Sequence, residues 1–220
     1  MRECSDMNDS LKKEKNLLNK YNIEDRILEI MEDYYPGSHI DISFYDWGDP
    51  YGRFMQRSDN DYQVIIDGNK QLKVSVKTRD NNFDFQDILV EIFSSYKYND
   101  LCGASLSDPG SELKSTADIF LYINDLKYIV INNHELRNLI IKLYSTNTRF
   151  LFSEELSLIP YKKTYNHILK YPTEDGFKDI PVKFIKSKNE RNKVEWDTIS
   201  ICLNIEILKS YKVGYKIVKY

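Results

Sequence analysis

The sequence predicts an α/β fold with a β-rich C-terminal extension, and three observations carry this prediction. Apolar residues recur at helical spacing near the start of the chain, at Ile23, Ile27, Ile30 and Met31. Several alternating or continuous apolar runs rich in β-branched residues follow, as is typical of strands. A second amphipathic segment, "HELRNLIIKLYS", predicts a helix over residues 134–145. The order of helix, strands and helix indicates an α/β core.

The first elements can be placed one by one. The first helix is expected to end at Pro36 and Gly37, because proline and glycine interrupt helical structure. The segment "HIDISFYDW" alternates in polarity and predicts a strand. The segment "DYQVIIDGNKQLKVSVKT" predicts a β-hairpin, because two β-branched runs flank Asp67-Gly68, a dipeptide that accepts the positive φ angles of a tight turn.

Two further segments complete a predicted core over residues 20–145. "DILVEIFSSY" is a nearly continuous apolar run, which is typical of a strand covered on both faces. "ADIFLYINDLKYIVIN" predicts a second hairpin around Asn124-Asp125. Residues 1–19 form a polar lead-in before this core.

The remainder, residues 146–220, predicts a mostly β extension packed on the core. "ISICLNIEIL" and "VGYKIVKY" have the composition of strands. "TEDGFKDIPVKFIKSKNERNKVEW" combines a turn cluster, a short apolar strand and a charged part. We expect the charged part, residues 186–193, to be a solvated turn, and contact with DNA is the alternative.

Composition and charge restrict the class of protein. The net charge of −3 argues against binding nucleic acid through bulk electrostatics, although a local basic groove is compatible with it. No long uncharged apolar run and no apolar leader segment occur, so we expect a cytoplasmic protein without a membrane span. The three cysteines lack metal-binding spacing, as expected in a reducing compartment. The abundance of Lys, Asn, Ile and Tyr indicates an AT-rich genome, such as that of a low-GC bacterium or its phage.

Lys77 is the residue that raises a functional question. It ends the second strand of the first hairpin, and a buried lysine is costly unless it meets an anion or a carboxylate. Asp61 opens the first strand of that hairpin, and Glu91 lies within the apolar "ILVEIF" of the strand that we expect to be adjacent. Each residue also has a structural alternative. Lys77 could be a strand-end lysine with a solvated amine, and Asp61 could be a loop residue. Glu91 could form a structural ion pair with Lys77 or Arg79.

The loop before the hairpin, "YDWGDPYGRFMQRSDND", is rich in glycine, aspartate and aromatic residues. Its position places Trp47, Arg53 and Arg57 near a phosphate site beside Asp61. Stacking of a base on Trp47 or Tyr51, with arginine on phosphate, suits a single-stranded or flipped substrate. An ordered loop without such a role is the alternative.

The chain resembles the PD-(D/E)xK nuclease superfamily over residues 58–141, in "DYQVII", "VSVKTRD", "DILVEIFS", "PGSELKSTADIFLYI" and "HELRNLI". Within the superfamily it is similar to small phage and bacterial proteins of unassigned function. The resemblance implies a restriction-endonuclease-like fold, which is a mixed sheet flanked by helices. It also implies cleavage of phosphodiester bonds, in DNA rather than RNA, with Mg²⁺ or Mn²⁺. It implies Asp61 and Glu91 as metal ligands, Lys77 as the residue that orients the nucleophilic water, and Arg79 or Arg57 on the scissile phosphate. A homodimer is a state that many nucleases of this fold adopt.

One position departs from the family pattern. Ser75 stands two residues before Lys77, where the pattern has aspartate or glutamate, and a hydroxyl is a weak metal ligand without charge. A carboxylate on a neighbouring strand can repair such a site, with Glu91 as the first candidate and Asp118 and Asp80 behind it. The serine at position 75 is equally compatible with loss of catalysis. The protein would then bind or inhibit a host or defence protein.

Overall fold

A computed structural model describes residues 22–219 except for short gaps at 47, 79–86, 97, 100–103, 106, 125–126, 162 and 192–193. The predicted N-terminal lead-in, residues 1–19, lies outside the described residues. The described chain is mixed α/β, as the sequence predicts. Its helices are α1 (Ile23–Tyr34), α2 (Pro50–Arg57), α3 (Ser111–Lys114), α4 (Asn133–Thr146), α5 (Thr148–Leu151), α6 (Glu154–Ser157) and α7 (Ile205–Ser210).

Thirteen strands are assigned among the described residues. They are β1 (Ile40–Phe44), β2 (Tyr62–Ile66), β3 (Lys70–Thr78), β4 (Asp87–Tyr96), β5 (Tyr98–Asn99), β6 (Ala104–Ser105), β7 (Asp108–Pro109), β8 (Ile119–Ile123), β9 (Lys127–Asn132), β10 (Thr164–Thr173), β11 (Gly176–Arg191), β12 (Val194–Asn204) and β13 (Tyr215–Lys219). The helices and strands predicted before residue 146 are confirmed, with small differences at their ends.

The chain divides into two compact units, each built from separate stretches of sequence. Unit 1 comprises Met1–Phe83, Thr116–Val130 and Lys216–Tyr220, and unit 2 comprises Asp84–Ser115 and Ile131–Tyr215. The predicted boundary after residue 145 therefore falls inside unit 2, at the end of α4. Local periodicity indicates where helices and strands lie, but it carries no information on which distant stretches share a core.

Unit 1 contains a mixed sheet with the strand order β1-β2-β3-β8-β9-β13. β2 pairs antiparallel with β1 and β3, whereas β3 pairs in parallel with β8. The predicted Asp-Gly turn joins β2 to β3, and both residues have positive φ angles, 50° for Asp67 and 69° for Gly68. The two φ angles have the sign that a tight hairpin turn requires.

One face of this sheet is covered by α1. Ile23, Ile27, Ile30 and Met31 point from the helix into a cluster of buried side chains that the strands complete. The strand contribution comes from Tyr62, Val64, Ile66, Val74, Leu121, Ile123, Tyr128 and Val130. Because side chains alternate along a strand, the neighbours of these residues point to the opposite face of the sheet. Ser75 and Lys77 are on that second face.

Unit 2 contains an antiparallel sheet with the strand order β10-β11-β12-β4-β7. β4 therefore pairs with β12 and β7, and the expectation that the strand of Glu91 is the neighbour of β3 is wrong. Consecutive strands often pair, but here β3 takes its parallel neighbour from further along the chain.

The expected turn over residues 186–193 also differs from the structure. β11 continues through this segment as far as Arg191, paired with β12. Lys186 is buried, and its amine donates to the backbone oxygen of Ser157 at 2.9 Å and lies 3.3 Å from Asp197. A carboxylate and a carbonyl thus replace water around the charge, so a run of charged residues in the sequence does not imply a solvated turn.

Candidate functional site

Lys77 lies near the end of β3, on the face of the sheet opposite α1. Its parallel partner is Tyr122 on β8, and its amine is 5.6 Å from the ring centroid of Phe120. Only 17% of the Lys77 side chain is exposed. Lys77 is therefore not the solvated strand-end lysine that the sequence allowed, because its amine lies among ring and carboxylate groups.

The amine of Lys77 forms an ion pair and hydrogen bond with the carboxylate of Asp59. The Asp59 side chain is also 17% exposed, so the pair is shielded from bulk water on both sides. Asp59 itself has φ of 59°, a left-handed conformation that aspartate tolerates better than most residues. The turn between α2 and β2 therefore directs a carboxylate towards the lysine at the end of β3.

Asn60 holds that turn in place. The side chain is fully buried, and its Nδ2 donates to the backbone oxygens of Met55 and Ser58 and to the Oγ1 of Thr116, at 3.3, 3.2 and 2.8 Å. The backbone N–H of Thr116 also donates to the oxygen of Ser58. The turn is thus fixed to the C-terminal end of α2 and to the segment before β8.

Asp61 is bonded to β3 on both sides of Ser75. Its backbone N–H donates to the carbonyl of Val74 at 2.9 Å, and its carboxylate Oδ2 accepts from the backbone N–H of Val76 at 2.6 Å. Asp61 therefore presents a carboxylate beside the stretch of β3 that carries Lys77.

Ser75 is fully buried, and its Oγ has no hydrogen-bond partner in the structure. It shares a face of β3 with Lys77, because the two positions are two residues apart. A buried hydroxyl without a partner costs free energy, so such groups require a physical explanation.

α2 presents aromatic and basic side chains to solvent immediately before this turn. Tyr51 and Phe54 are 57% and 63% exposed, and Arg53 and Arg57 are exposed as well. The two arginines are four residues apart and so lie on the same side of the helix. This exposed surface of α2, formed by Tyr51, Arg53, Phe54 and Arg57, is called the α2 face below.

Several contacts fix α2 and with it the α2 face. Asp49 caps the helix by accepting from the N–H of Gly52 at 2.7 Å. A Cβ at Gly52 would lie 2.0 Å from the backbone oxygen of Asp46, so only glycine fits there. Tyr45 packs edge-on against Tyr51, and burial raises the pKa of the Tyr45 phenol, which stays neutral at physiological pH.

Glu91 belongs to unit 2, where its carboxylate has its own hydrogen bonds. Oε1 accepts from the hydroxyl of Ser94 at 2.7 Å and from the backbone N–H of Ser111 at 3.2 Å. The backbone here is close to Gly110, whose N–H donates to the carbonyl of Ile92 at 2.8 Å. The carboxylate therefore joins β4 to the start of α3.

The structure thus gathers Asp59, Asp61, Ser75 and Lys77 in unit 1 and places Glu91 in unit 2. Three other candidate site residues lie outside the described residues, namely Trp47, Arg79 and Asp80. Among the described side chains, no group of three or more His, Cys, Asp and Glu residues is placed to hold a metal ion.

Asp59 is the residue that the sequence interpretation missed. It lies in the polar run "RSDND", where a carboxylate has no distinguishing pattern. The one signal in the sequence is that Asp59 lies two residues before Asp61, the aspartate that was predicted.

Comparison with known protein families, curated proteins and solved structures finds no match to this chain. Within the described part of the chain, every helix is too short or too polar to cross a lipid bilayer. A functional assignment therefore depends on the site itself.

Proposed function

We propose that the chain is a divalent-metal-dependent nuclease with a restriction-endonuclease-like core, acting on DNA. The observation that best supports this proposal is the shielded amine of Lys77, which lies between an aspartate turn and a mixed sheet. A shielded ion pair often contributes less stability than apolar residues of similar volume would, so its presence favours a functional role. In the nuclease pattern, a lysine at the end of a hairpin strand works beside carboxylates that bind metal.

The residues present fit a single Mg²⁺ or Mn²⁺ ion. Mg²⁺ is commonly held by one or two carboxylates together with substrate phosphate and water, so three protein ligands are not required. Asp61 would supply one carboxylate, which lies beside the stretch of β3 that carries Lys77. The ion would polarise the phosphate and lower the pKa of the attacking water. Glu91 stays a predicted ligand, although its Oε1 already accepts two hydrogen bonds.

The chain's own groups would do the following in hydrolysis. Water attacks the phosphorus atom, a new P–O bond forms, and the bond to the leaving oxygen breaks as that oxygen gains a proton. The Lys77 amine donates hydrogen bonds that orient the water and stabilise the negative charge on the phosphate oxygens. Asp59 shares that amine before substrate arrives.

The α2 face is suited to the nucleic-acid strand. Exposed aromatic rings stack on bases, and arginines contact phosphates without reading sequence. Tyr51 and Phe54 are exposed on the same short helix as the two exposed arginines, so aromatic rings and cations are available together. Single-stranded or flipped DNA is therefore the expected substrate.

Cleavage of labelled single- and double-stranded DNA and RNA in Mn²⁺ tests the proposal. The parent should cut, and Lys77→Ala and Asp61→Asn should not, with the fold of each variant checked by circular dichroism. Lys73→Ala is the matched control, because Lys73 lies on the same strand and the same face, four residues away. Equal activity of the parent and the Lys77→Ala variant would refute the assignment.

A second function is favoured by one observation, the hydroxyl at Ser75 in place of an acid. A site that has lost its catalytic acid would also retain the ion pair of Lys77 with Asp59 as a structural remnant. The chain would then be an inactive protein on a nuclease-like scaffold that binds or inhibits a host or defence protein. No cleavage by a folded parent with any metal or substrate would favour this function.

A further inference from the structure

We propose that one edge of the unit 2 sheet joins this chain to a second copy of itself. The edge is the first half of β10, residues 164–168, and it is called the β10 edge below. In this dimer two β10 edges pair antiparallel across a two-fold axis at Asn166. The inference goes beyond the proposed function and does not depend on it.

β10 is the outermost strand of its sheet. It pairs with β11 from Thr164 to Thr173, and within the described part of the chain no strand pairs with its other side. A strand in this position presents backbone N–H and C=O groups that another strand can bind. The pairing with β11 determines which residues present them.

The backbone of Lys170 shows which residues face away from β11. Its N–H donates to the Oδ1 of Asn147 at 2.8 Å, and its carbonyl oxygen accepts from the Nδ2 of Asn147 at 2.8 Å. Hydrogen-bonded and non-hydrogen-bonded pairs alternate along an antiparallel ladder, so every second residue has the same orientation. The N–H and C=O groups of Thr164, Asn166 and Ile168 therefore face the open side of β10.

The residue opposite Ile168 on β11 gives the same orientation independently. That residue is Pro181, which has no N–H and so cannot exchange both backbone bonds with its partner. The two residues therefore form a non-hydrogen-bonded pair. The polar backbone groups of Ile168 point away from β11, as the bonds of Lys170 to Asn147 require.

The second half of β10 is protected against an added strand. The Asn147 amide occupies both backbone groups of Lys170, and Pro172 has no N–H to donate. Lys170 also carries a charge, which is held by Asp179 on β11. Side-chain caps, lysine and proline are among the means by which proteins keep a sheet edge from pairing.

The β10 edge has none of these protections. Its sequence, "TYNHI", contains no lysine, arginine, aspartate, glutamate or proline. Ile168 is 54% exposed, and Thr164 and Asn166 are exposed as well. Because only the second half of β10 is protected, pairing is restricted to the first half. The fold thus leaves a short and defined site for one added strand.

A second copy of the β10 edge fits this site. A two-fold axis at Asn166 places Thr164 opposite Ile168 of the partner subunit and Asn166 opposite its own copy. Each facing pair then exchanges both backbone hydrogen bonds, and the β-branched side chains lie against each other. The edge carries no charge, so a charged peptide would gain no ion pair there, whereas an identical edge meets no repulsion.

The short edge predicts a weak dimer, because interfaces of small area are usually transient. Sedimentation velocity of the full chain measures the self-association without DNA or metal. We expect the parent to change from monomer to dimer as its concentration rises towards about 1 mM.

Two lysine substitutions locate the interface. Ile168→Lys adds a charge to the β10 edge and should raise the dissociation constant of the dimer by at least about tenfold. Phe177→Lys is the matched control, because Phe177 is 68% exposed on the same face of the hairpin but lies on β11, away from the open side. It should leave the dissociation constant unchanged.

A cysteine variant tests the position of the two-fold axis. Facing Cα atoms of a hydrogen-bonded antiparallel pair are about 5.5 Å apart, which is within the range of a disulfide. Oxidation should therefore link Asn166→Cys into a covalent dimer. Phe177→Cys should give no more linked dimer than the parent, whose own cysteines set the background.

The measurements decide the inference. A parent that stays monomeric up to about 1 mM overturns it and leaves the β10 edge to a strand of a different protein. Equal dissociation constants for Ile168→Lys and Phe177→Lys also overturn it, because the dimer would then use another surface. If Ile168→Lys fails to fold, Asn166→Pro takes its place, since it removes an N–H that faces the open side. None of these readouts uses cleavage, so the proposed function is tested separately.

Discussion

The Nδ2 of Asn60 lies 2.8 Å from the Oγ1 of Thr116 and joins two segments that are 56 residues apart in the chain. One segment carries Asp59 and Asp61, and the other leads into β8, the parallel neighbour of β3. A single buried amide therefore positions the aspartate turn relative to the strand that carries Lys77. The geometry of the site depends on this residue although it has no charge.

Replacing Asn60 with alanine is expected to destabilise unit 1. The change leaves the carbonyls of Met55 and Ser58 without this donor and opens a small cavity. We expect a loss of about 2–4 kcal/mol in the free energy of unfolding, measured by urea denaturation. Thr116→Val removes only one of these contacts and should cost less than about 1.5 kcal/mol. Equal effects of the two variants would show that the amide does not organise the turn.

Phe54 on the α2 face is expected to contribute to binding of single-stranded DNA. Loss of one stacking ring by Phe54→Ala should weaken binding by about 1–3 kcal/mol, measured by fluorescence anisotropy. Leu158→Ala is the control, because Leu158 is another exposed large apolar residue, at 71% exposure, in unit 2. The two variants should differ, and equal affinity would rule out stacking at Phe54.

Removing Arg53 and Arg57 together should change how DNA binding depends on salt. Two lost phosphate contacts on a single strand should reduce the slope of log affinity against log salt by about 1.4. The measurement is a salt titration of anisotropy with the double alanine variant and the parent. An unchanged slope with unchanged affinity would place the phosphates away from the α2 face.

Glu91→Gln distinguishes a structural from a metal-binding role for this residue. Glutamine keeps an acceptor oxygen for Ser94 and for the N–H of Ser111, so the fold should be retained. We expect the Mn²⁺ affinity to be unchanged, because the structure gives the carboxylate partners within unit 2. Glu91→Ala should lower the melting temperature, since both donors lose their acceptor. A large fall in Mn²⁺ affinity for Glu91→Gln would restore Glu91 as a ligand.

His167 is expected to make unit 2 less stable in mild acid. Its ring stacks on Phe150 with centroids 3.6 Å apart, and burial lowers its pKa from the ordinary value of 6.5, partly offset by Glu155. At pH 7 and above, both folded and unfolded states hold a neutral ring. As the pH falls below 6.5, the unfolded state binds the proton first, so the free energy of unfolding decreases until the folded pKa is passed.

His167→Phe keeps a ring on Phe150 but does not titrate. Urea denaturation between pH 5 and pH 8 should therefore show a shallower pH dependence for this variant than for the parent. Identical pH profiles would show that the ring does not hold its neutral form in the folded state.

Much of the fold could be predicted because the relevant signals are local. Ile23, Ile27 and Ile30 mark α1 by their spacing, and Asp67-Gly68 marks the hairpin turn by its backbone preference. The partners of β4 could not be predicted, because "DILVEIFSSY" has the same apolar character whichever strands flank it. Pairing between distant segments depends on the whole chain and not on any one pattern.

The candidate site was predicted in part for the same reason. Asp61 and Lys77 lie on one hairpin, and the register of that hairpin places Asp61 beside the stretch of β3 that carries Lys77. Asp59 reaches Lys77 only through a left-handed backbone conformation and the hydrogen bonds of Asn60. Neither feature can be predicted from "RSDND", because no pattern distinguishes Asp59 from its polar neighbours Asn60 and Asp61 as the partner of Lys77.

The division of each unit into separate stretches has a consequence for synthesis of the chain on the ribosome. β13 lies at the edge of the unit 1 sheet beside β9, yet the second stretch of unit 2 separates them in the chain and is translated before β13. Until β13 emerges, β9 is an open edge that can pair with another nascent chain. Truncations that remove β13 are therefore expected to aggregate during expression, even though they retain every residue of the candidate site.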